Sequence, residues 1–300
     1  MTQITLHDGS IGQELVKRSG DRSVAMWSTR VMIEQPQVVG EVHDAYFAAG
    51  ATVATTNTYA VLRDRLKRVG LDKHVGRLAD IAVSSARKAQ ESAGTGRVAG
   101  AFGPLGASYR ADLTQPVDKA VELYAELLKD LREHVDLLLF ETMASVEQAE
   151  GALAAAAAHG NGLPVWLSVT VADDDGTRLR SGEVLDQLAP LVTRYRPAAV
   201  LINCSPPEVI GAGLEVLKTF GVPFGAYGNG FTRISEGFLK DAPTVDALEQ
   251  RTDLTPEAYA NFAMGWVDQG ATIVGGCCEV GPDHIAELAR RLRSAGHEIV

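Results

Sequence analysis

The sequence predicts a single (β/α)8 barrel formed by residues 1–300. Short apolar and β-branched runs alternate with longer helical patterns along the chain, which is typical of parallel βαβ units. Eight such runs are present, the number of strands that closes this barrel. No linker composition or internal repeat divides the chain, so we expect one domain.

Each predicted strand is a short buried run bounded by turn residues. In chain order the strands are residues 4–8, 52–57, 97–102, 136–141, 165–171, 198–204, 222–227 and 271–276. Helical patterns lie between them at residues 36–49, 117–133, 146–159, 183–195, 208–220, 256–269 and 282–294. Pro36, Pro256 and Pro282 lie at helix starts, where the missing N–H costs nothing, and Ser145 and Thr255 are candidate N-caps.

Composition and charge favour a globular protein that acts on small molecules. No apolar run approaches the ~18 residues of a membrane span, and the N-terminus has no signal-peptide pattern, so we expect a cytoplasmic location. The formal net charge of -10 repels nucleic-acid phosphates and anionic lipids. We therefore expect no nucleic-acid or membrane partner, and a monomer or small homo-oligomer. The long connection at residues 228–255 is predicted to be a lid or binding loop.

The three cysteines all lie at predicted strand ends. Cys204 ends the sixth strand, and Cys277 and Cys278 follow the eighth. Barrel active sites form at the carboxyl ends of the strands, so the three thiols are expected to converge and hold zinc with its fourth position open. A disulfide between adjacent cysteines would be strained and explains them poorly. The alternative is that they are small buried hydrophobes. Gly275 and Gly276 are expected to let the backbone turn sharply towards the metal.

Acidic and polar residues end several of the other strands. Asp8 and Glu141 follow apolar runs, where an unpaired carboxylate is costly, and a substrate ammonium would satisfy them. A helix N-cap or a salt bridge is the alternative for each. Six further residues are candidates for orienting a substrate, although such residues also serve ordinary turns. These are Asn57, Tyr59, Ser168, Asn203, Tyr227 and Asn229.

Four motifs at these strand ends resemble those of the homocysteine S-methyltransferases, nearly from end to end of the chain. They are Asp8-Gly9-Ser10, Glu141-Thr142-Met143, Ile202-Asn203-Cys204 and Gly275-Gly276-Cys277-Cys278. The resemblance implies a zinc-dependent barrel in which the three cysteines hold the metal and Asp8 and Glu141 bind the homocysteine ammonium. It also implies methyl transfer to homocysteine, giving methionine, as in methionine biosynthesis.

The methyl donor is left open by this resemblance. Relatives use S-methylmethionine, S-adenosylmethionine, betaine or a methylated folate, and the zinc motifs do not separate them. Two loops depart from the commonest pattern: the segment after Tyr227 lacks the usual Pro and Ser, and residues 103–112 form a short connection. We expect a small sulfonium or ammonium donor. The alternatives are a non-catalytic zinc- or thiol-binding relative, and a zinc hydrolase with Asp8 or Glu141 as general base.

Overall fold

The computed structural model describes residues 2–20, 26–234 and 249–300. Eight parallel strands form its centre: β1 Gln3–Leu6, β2 Val53–Thr55, β3 Arg97–Phe102, β4 Leu137–Met143, β5 Val165–Val169, β6 Ala199–Asn203, β7 Phe224–Tyr227 and β8 Ile273–Val274. They follow the order β2 to β8 and then β1, and a parallel bridge between His7 and Val53 joins β1 back to β2. The predicted eight-stranded barrel is therefore confirmed.

A ninth strand, β9 Glu298–Ile299, was not among the predicted strands. It pairs in parallel with β1, with Gln3 opposite Glu298. Two residues are too short to produce a recognisable strand pattern, so pairing with β1 is what defines them as a strand. Because β9 contacts the amino end of β1, it lies away from the rim at which Asp8 emerges.

Helices connect the strands and cover the outside of the barrel. They are α1 Ile11–Ser19, α2 Trp27–Glu34, α3 Pro36–Ala49, α4 Arg63–Leu66, α5 Val75–Ala93, α6 Val117–Leu131, α7 Val146–His159, α8 Ala189–Tyr195, α9 Pro207–Leu217, α10 Pro256–Asp268 and α11 Pro282–Ser294. The predicted N-caps are confirmed: Ser145 Oγ accepts from Gln148 N at 3.1 Å, and Thr255 Oγ1 accepts from Ala258 N at 3.2 Å. Pro36, Pro256 and Pro282 each begin a helix, as predicted.

Some connections differ from the predicted pattern. Helices α1, α2 and α5 were not named from the sequence, although α5 is 19 residues long. The stretch predicted as a helix over residues 183–195 begins with a 3-10 turn at Leu185–Leu188 and becomes α-helical only at Ala189. In the predicted loop 228–255, residues 235–248 lie outside the described residues, and Phe231 pairs with Gln250 where the two described ends meet.

The core has two layers, as expected for a barrel. Apolar side chains such as Val53, Leu139, Trp166 and Leu201 fill the interior, and a larger apolar layer lies between the strands and the surrounding helices. Among the described residues, no helix combines the length and apolarity needed to cross a bilayer. The filled interior leaves the carboxyl rim as the place where polar strand ends gather.

Candidate metal centre and substrate cavity

The carboxyl ends of the strands surround a cavity of about 190 Å³. Its wall contains eight of the residues predicted as site residues. They are Asp8, Asn57, Tyr59, Glu141, Cys204, Tyr227, Cys277 and Cys278. Parallel strands deliver their ends to one rim, so residues that are far apart in the sequence share this cavity.

The three cysteine sulfur atoms lie within 4.8 Å of one another in this wall. Cys204 follows β6 with a φ of 49°, an uncommon conformation for a residue with a Cβ. Its N–H donates to Tyr227 O at 3.2 Å, and Cys277 N–H donates to Gly228 O at 3.0 Å. Both strand exits are thereby attached to the exit of β7, which brings together cysteines separated by 73 positions.

The two glycines before Cys277 leave room for close packing of the backbone. The sequence predicted a sharp turn at these glycines, and that prediction is wrong. Neither Gly275 nor Gly276 has a positive φ. A Cβ on Gly275 would lie 2.6 Å from His7 Cβ, and one on Gly276 would overlap the Val280 side chain. The exit of β8 can therefore pack directly on the exit of β1, where Gly276 N–H donates to Asp8 O at 2.9 Å.

Cys204 and Cys277 are joined by a disulfide, and Cys278 is a free thiol. The expectation that a disulfide explains the cysteines poorly is wrong for this pair. The expected strain applies to a bond between the adjacent Cys277 and Cys278, whereas this bond links the ends of two different strands. A disulfide and a pair of thiolates are two oxidation states of the same sulfur atoms, so metal binding by this pair requires the reduced form.

The donor set fits a metal that prefers thiolates, such as zinc. A tetrahedral site with Zn–S bonds of about 2.3 Å separates its sulfur atoms by about 3.8 Å, and Cys204 Sγ lies 4.0 Å from Cys278 Sγ. Burial, together with the charges of Glu279 and Glu141, raises the pKa of the Cys278 thiol to about 12. The thiolate form of Cys278 therefore needs a nearby cation, which a divalent metal supplies.

Asp8 is completely buried at the end of β1. Its carboxylate accepts from Thr55 N at 2.6 Å and from Thr55 Oγ1 at 2.7 Å, and His7 Nδ1 lies 3.2 Å from it. Burial raises the pKa of Asp8, and His7 and the Thr55 bonds oppose that rise. Thr55 thus fixes the orientation of the carboxylate, and the negative charge is only partly offset.

Glu141 occupies the corresponding position near the end of β4. Its pKa is raised to about 8: burial is the main cause, the hydrogen bond from Tyr227 opposes the rise, and the charge of Asp8 adds to it. Tyr227 Oη donates to Glu141 Oε2 at 3.1 Å, and the Tyr227 ring stacks on His7 with centroids 4.7 Å apart. Among the described residues, no ion pair involves Glu141. Two buried carboxyl groups in one cavity favour a cationic ligand.

Three predicted substrate contacts do not line the cavity. Ser168 Oγ donates to Asn203 Oδ1 at 3.0 Å, and the same oxygen accepts from Thr142 N at 2.9 Å. Thr142 has a φ of 65° directly after Glu141, so these side chains support that conformation from beneath. Asn229 Oδ1 accepts from Phe231 N at 3.3 Å and holds the loop after β7.

Several residues of the cavity wall were not identified from the sequence. Gln13, Thr55, Ser108, Tyr109 and Phe231 all line it. Ser108 and Tyr109 lie in the connection after β3, and Tyr109 has a φ of 62°. The only signal for them was that residues 103–112 form a short connection at the rim, which does not indicate which side chains face inwards.

Asn57 and Tyr59 line the cavity but are also bonded to the protein. Asn57 Nδ2 donates to Ser28 O at 3.1 Å, and Tyr59 Oη lies 2.7 Å from Ser108 Oγ. The Arg65 guanidinium lies over the Tyr59 ring at 5.1 Å from its centroid. Both side chains therefore have fixed orientations at the rim.

Comparison with known proteins gives a consistent result over the whole barrel. A family model described as "Homocysteine S-methyltransferase" matches residues 5–292. Homocysteine S-methyltransferase YbgG of Bacillus subtilis (strain 168) is 28% identical over 307 residues, covering 96% of this chain and 94% of that protein. Homocysteine S-methyltransferase of Escherichia coli (strain K12) is 30% identical over 308 residues, covering 96% and 95%. The metallated crystal structure of the homocysteine methyltransferase MmuM from Escherichia coli matches with a TM-score of 0.80 at 29% identity, covering 96% of each chain.

Proposed function

This chain belongs to the homocysteine S-methyltransferase family, and we propose that it transfers a methyl group from a small sulfonium or ammonium donor to homocysteine, giving methionine. The proposal rests on one cavity whose wall carries both a group of thiols and a pair of carboxyl groups. Three cysteine sulfur atoms lie on it together with the buried carboxyl groups of Asp8 and Glu141. Homocysteine carries one thiol and one ammonium, which match these two groups of residues.

Cys204, Cys277 and Cys278, in their reduced form, are the residues that would hold zinc. With zinc held by these residues, the pKa of a coordinated homocysteine thiol would be lowered, so that the nucleophilic thiolate would exist at neutral pH. Three protein ligands leave a fourth position for the substrate sulfur.

Asp8 and Glu141 are proposed to bind the homocysteine ammonium. The ammonium would favour the ionised form of Glu141, opposing the rise in its pKa that burial causes. Thr55 orients Asp8, and Tyr227 orients Glu141, by the hydrogen bonds described above. Fixing the ammonium places the substrate thiol in a defined direction, and such positioning supplies much of the rate of a displacement.

The transfer itself is an in-line displacement at the methyl carbon. A bond forms from the homocysteine sulfur to this carbon while the bond to the donor sulfur or nitrogen breaks. The donor atom keeps the electron pair of the broken bond and becomes neutral. Aromatic faces stabilise cations, and Tyr59, Tyr109 and Phe231 line the same cavity. S-methylmethionine, S-adenosylmethionine and betaine each carry the transferable methyl group on a cationic sulfur or nitrogen.

The other predicted residues are given narrower roles. Asn57 and Tyr59 are proposed to contact substrate at the rim, where both line the cavity. Ser168, Asn203 and Asn229 are proposed to position the rim, because their hydrogen bonds hold the segments after β4 and β7.

We also propose that residues 1–300 act as one domain in the cytoplasm, as a monomer or small homo-oligomer. The net charge of -10 supports small molecules as partners in preference to nucleic acid or anionic membranes.

The test is an assay of methionine formation by reduced, zinc-loaded protein. Homocysteine is supplied with each donor separately, and methionine is measured by mass spectrometry. We expect product with at least one donor, loss of it in C204S, and normal product in Q37A, which alters an exposed side chain on α3. Binding of zinc and homocysteine without product from any donor would show a non-catalytic relative and contradict the proposal.

A further inference from the structure

The residue that follows the last cysteine has an unfavourable backbone conformation. Glu279 directly follows Cys278 and has a φ of 64°, in the left-handed region that glycine adopts easily and other residues rarely occupy. A residue remains in this region when surrounding contacts over-determine its conformation. The contacts of Glu279 therefore help to fix the conformation of the Cys277–Cys278 turn.

Gln13 on α1 supplies two of those contacts, and the Gln250 side chain also bonds to the Glu279 carboxyl group. Gln13 Oε1 accepts from Glu279 N at 2.5 Å, and its Nε2 donates to the Glu279 carboxylate. Ser10 Oγ donates to the same Oε1 at 2.8 Å. Two donors on the oxygen leave the amide nitrogen for the carboxylate, so the orientation of the Gln13 amide is fixed by its partners.

The other backbone hydrogen bonds of this turn do not involve the Glu279 N–H, which donates to Gln13. Gly230 N donates to Cys278 O at 2.8 Å, and Val280 N donates to Cys277 O at 3.1 Å. The side chain of Gln13 thus holds both the backbone and the carboxylate of Glu279. It does so from α1, the helix that follows β1.

We propose that Gln13 is a positioning residue for the metal centre, which stabilises the left-handed conformation of Glu279 and so directs the Cys278 sulfur towards those of Cys204 and Cys277. This inference rests on the proposed function, in which these cysteines hold zinc. It adds a determinant of metal affinity that is not itself a ligand. Substitution of a residue that orients a metal ligand commonly lowers metal affinity by about 10- to 100-fold.

The test is a double-mutant cycle with Q13A, E279G and the double variant, made in the full-length reduced protein. Zinc affinity is measured by competition with a chromophoric chelator. We expect Q13A to weaken zinc binding about tenfold. In E279G the backbone adopts a positive φ without a Cβ, so adding Q13A to E279G should change the affinity less than about threefold. The control is Q37A, which removes the same side chain from an exposed position on α3.

The cycle distinguishes this inference from the proposed function. Absence of zinc binding by the unsubstituted reduced protein would contradict the proposed metal site. The contact between Gln13 and Glu279 is then tested by amide hydrogen exchange in metal-free protein. Q13A should speed exchange of the Glu279 N–H at least about tenfold, because this N–H loses its hydrogen-bond acceptor. Unchanged affinity and unchanged exchange in Q13A would overturn the inference. An equal loss of affinity in both backgrounds would also overturn it, because the effect would not depend on the conformation of Glu279.

Discussion

Replacing Tyr227 with phenylalanine tests the proposed ammonium site by removing a single oxygen atom. The Tyr227 hydroxyl donates to Glu141 Oε2 at 3.1 Å, and both side chains are buried. Phenylalanine keeps the ring that stacks on His7. The substitution therefore removes a hydrogen bond to the carboxylate and leaves the packing of the barrel interior in place.

The expected magnitude follows from the loss of a hydrogen bond to a charged group, which is worth about 1.5–3 kcal/mol. Tyr227 opposes the rise in the pKa of Glu141 that burial causes, so without it this pKa should move above about 8. More of the carboxyl group would then be protonated at pH 7.5, and it would bind an ammonium less well. Since about 1.4 kcal/mol is a factor of ten, KM for homocysteine should rise roughly 10- to 150-fold.

The assay is steady-state kinetics of methionine formation at saturating donor, with zinc content measured in parallel. We expect KM for homocysteine to rise, kcat to change less, and zinc content to remain that of the unsubstituted protein. A loss confined to kcat would place Tyr227 in the transfer step. An unchanged KM would refute the reasoning, as would an equal effect of Y195F, the matched loss of a hydroxyl on α8.

Three further predictions concern stability and metal content. Because burial raises the pKa of Glu141 to about 8, its stability contribution is fully present below pH 4.5 and is lost as the pH rises through about 8. In urea unfolding of metal-free protein, the free energy of unfolding of E141Q should therefore increase relative to that of the unsubstituted protein between pH 4.5 and about 8. A difference in free energy that stays constant with pH would contradict this pKa for Glu141. C278A should lose the zinc, measured by atomic absorption on reduced protein, because two sulfur ligands would remain; full zinc retention would exclude Cys278 as a ligand. T255A should lower the free energy of unfolding by about 1 kcal/mol without altering KM, since Thr255 Oγ1 caps α10 away from the cavity. A changed KM would contradict this, because it would show that the start of α10 is coupled to the cavity.

The strand ends were predictable because a barrel brings all carboxyl ends to one rim. Asp8, Glu141 and the three cysteines lie within a few residues of the ends of apolar runs, so placing the strands was sufficient to place these residues in one cavity. Ser168 and Asn203 were predicted as substrate contacts by the same logic. The pattern gives the end of a strand but not the direction and depth of each side chain. Ser168 donates to Asn203, and Asn203 bonds to Thr142 beneath the rim.

Residues in the connecting loops could not be placed from the sequence. Ser108 and Tyr109 reach the cavity through a turn whose conformation depends on contacts with distant segments, and Gln13 reaches it from the start of α1. Gln13, for example, is fixed by Glu279, which lies 266 positions further along the chain. The disulfide between Cys204 and Cys277 also depends on tertiary proximity, which spacing along the chain does not show.

X-ray absorption at the zinc edge, on reduced protein with and without homocysteine, tests the central claim most directly. We expect one zinc per chain, three sulfur ligands from Cys204, Cys277 and Cys278, and a fourth sulfur when homocysteine is added. A sulfur count that does not change with homocysteine, or metal-replete protein without zinc, would contradict activation of the substrate thiol at this site.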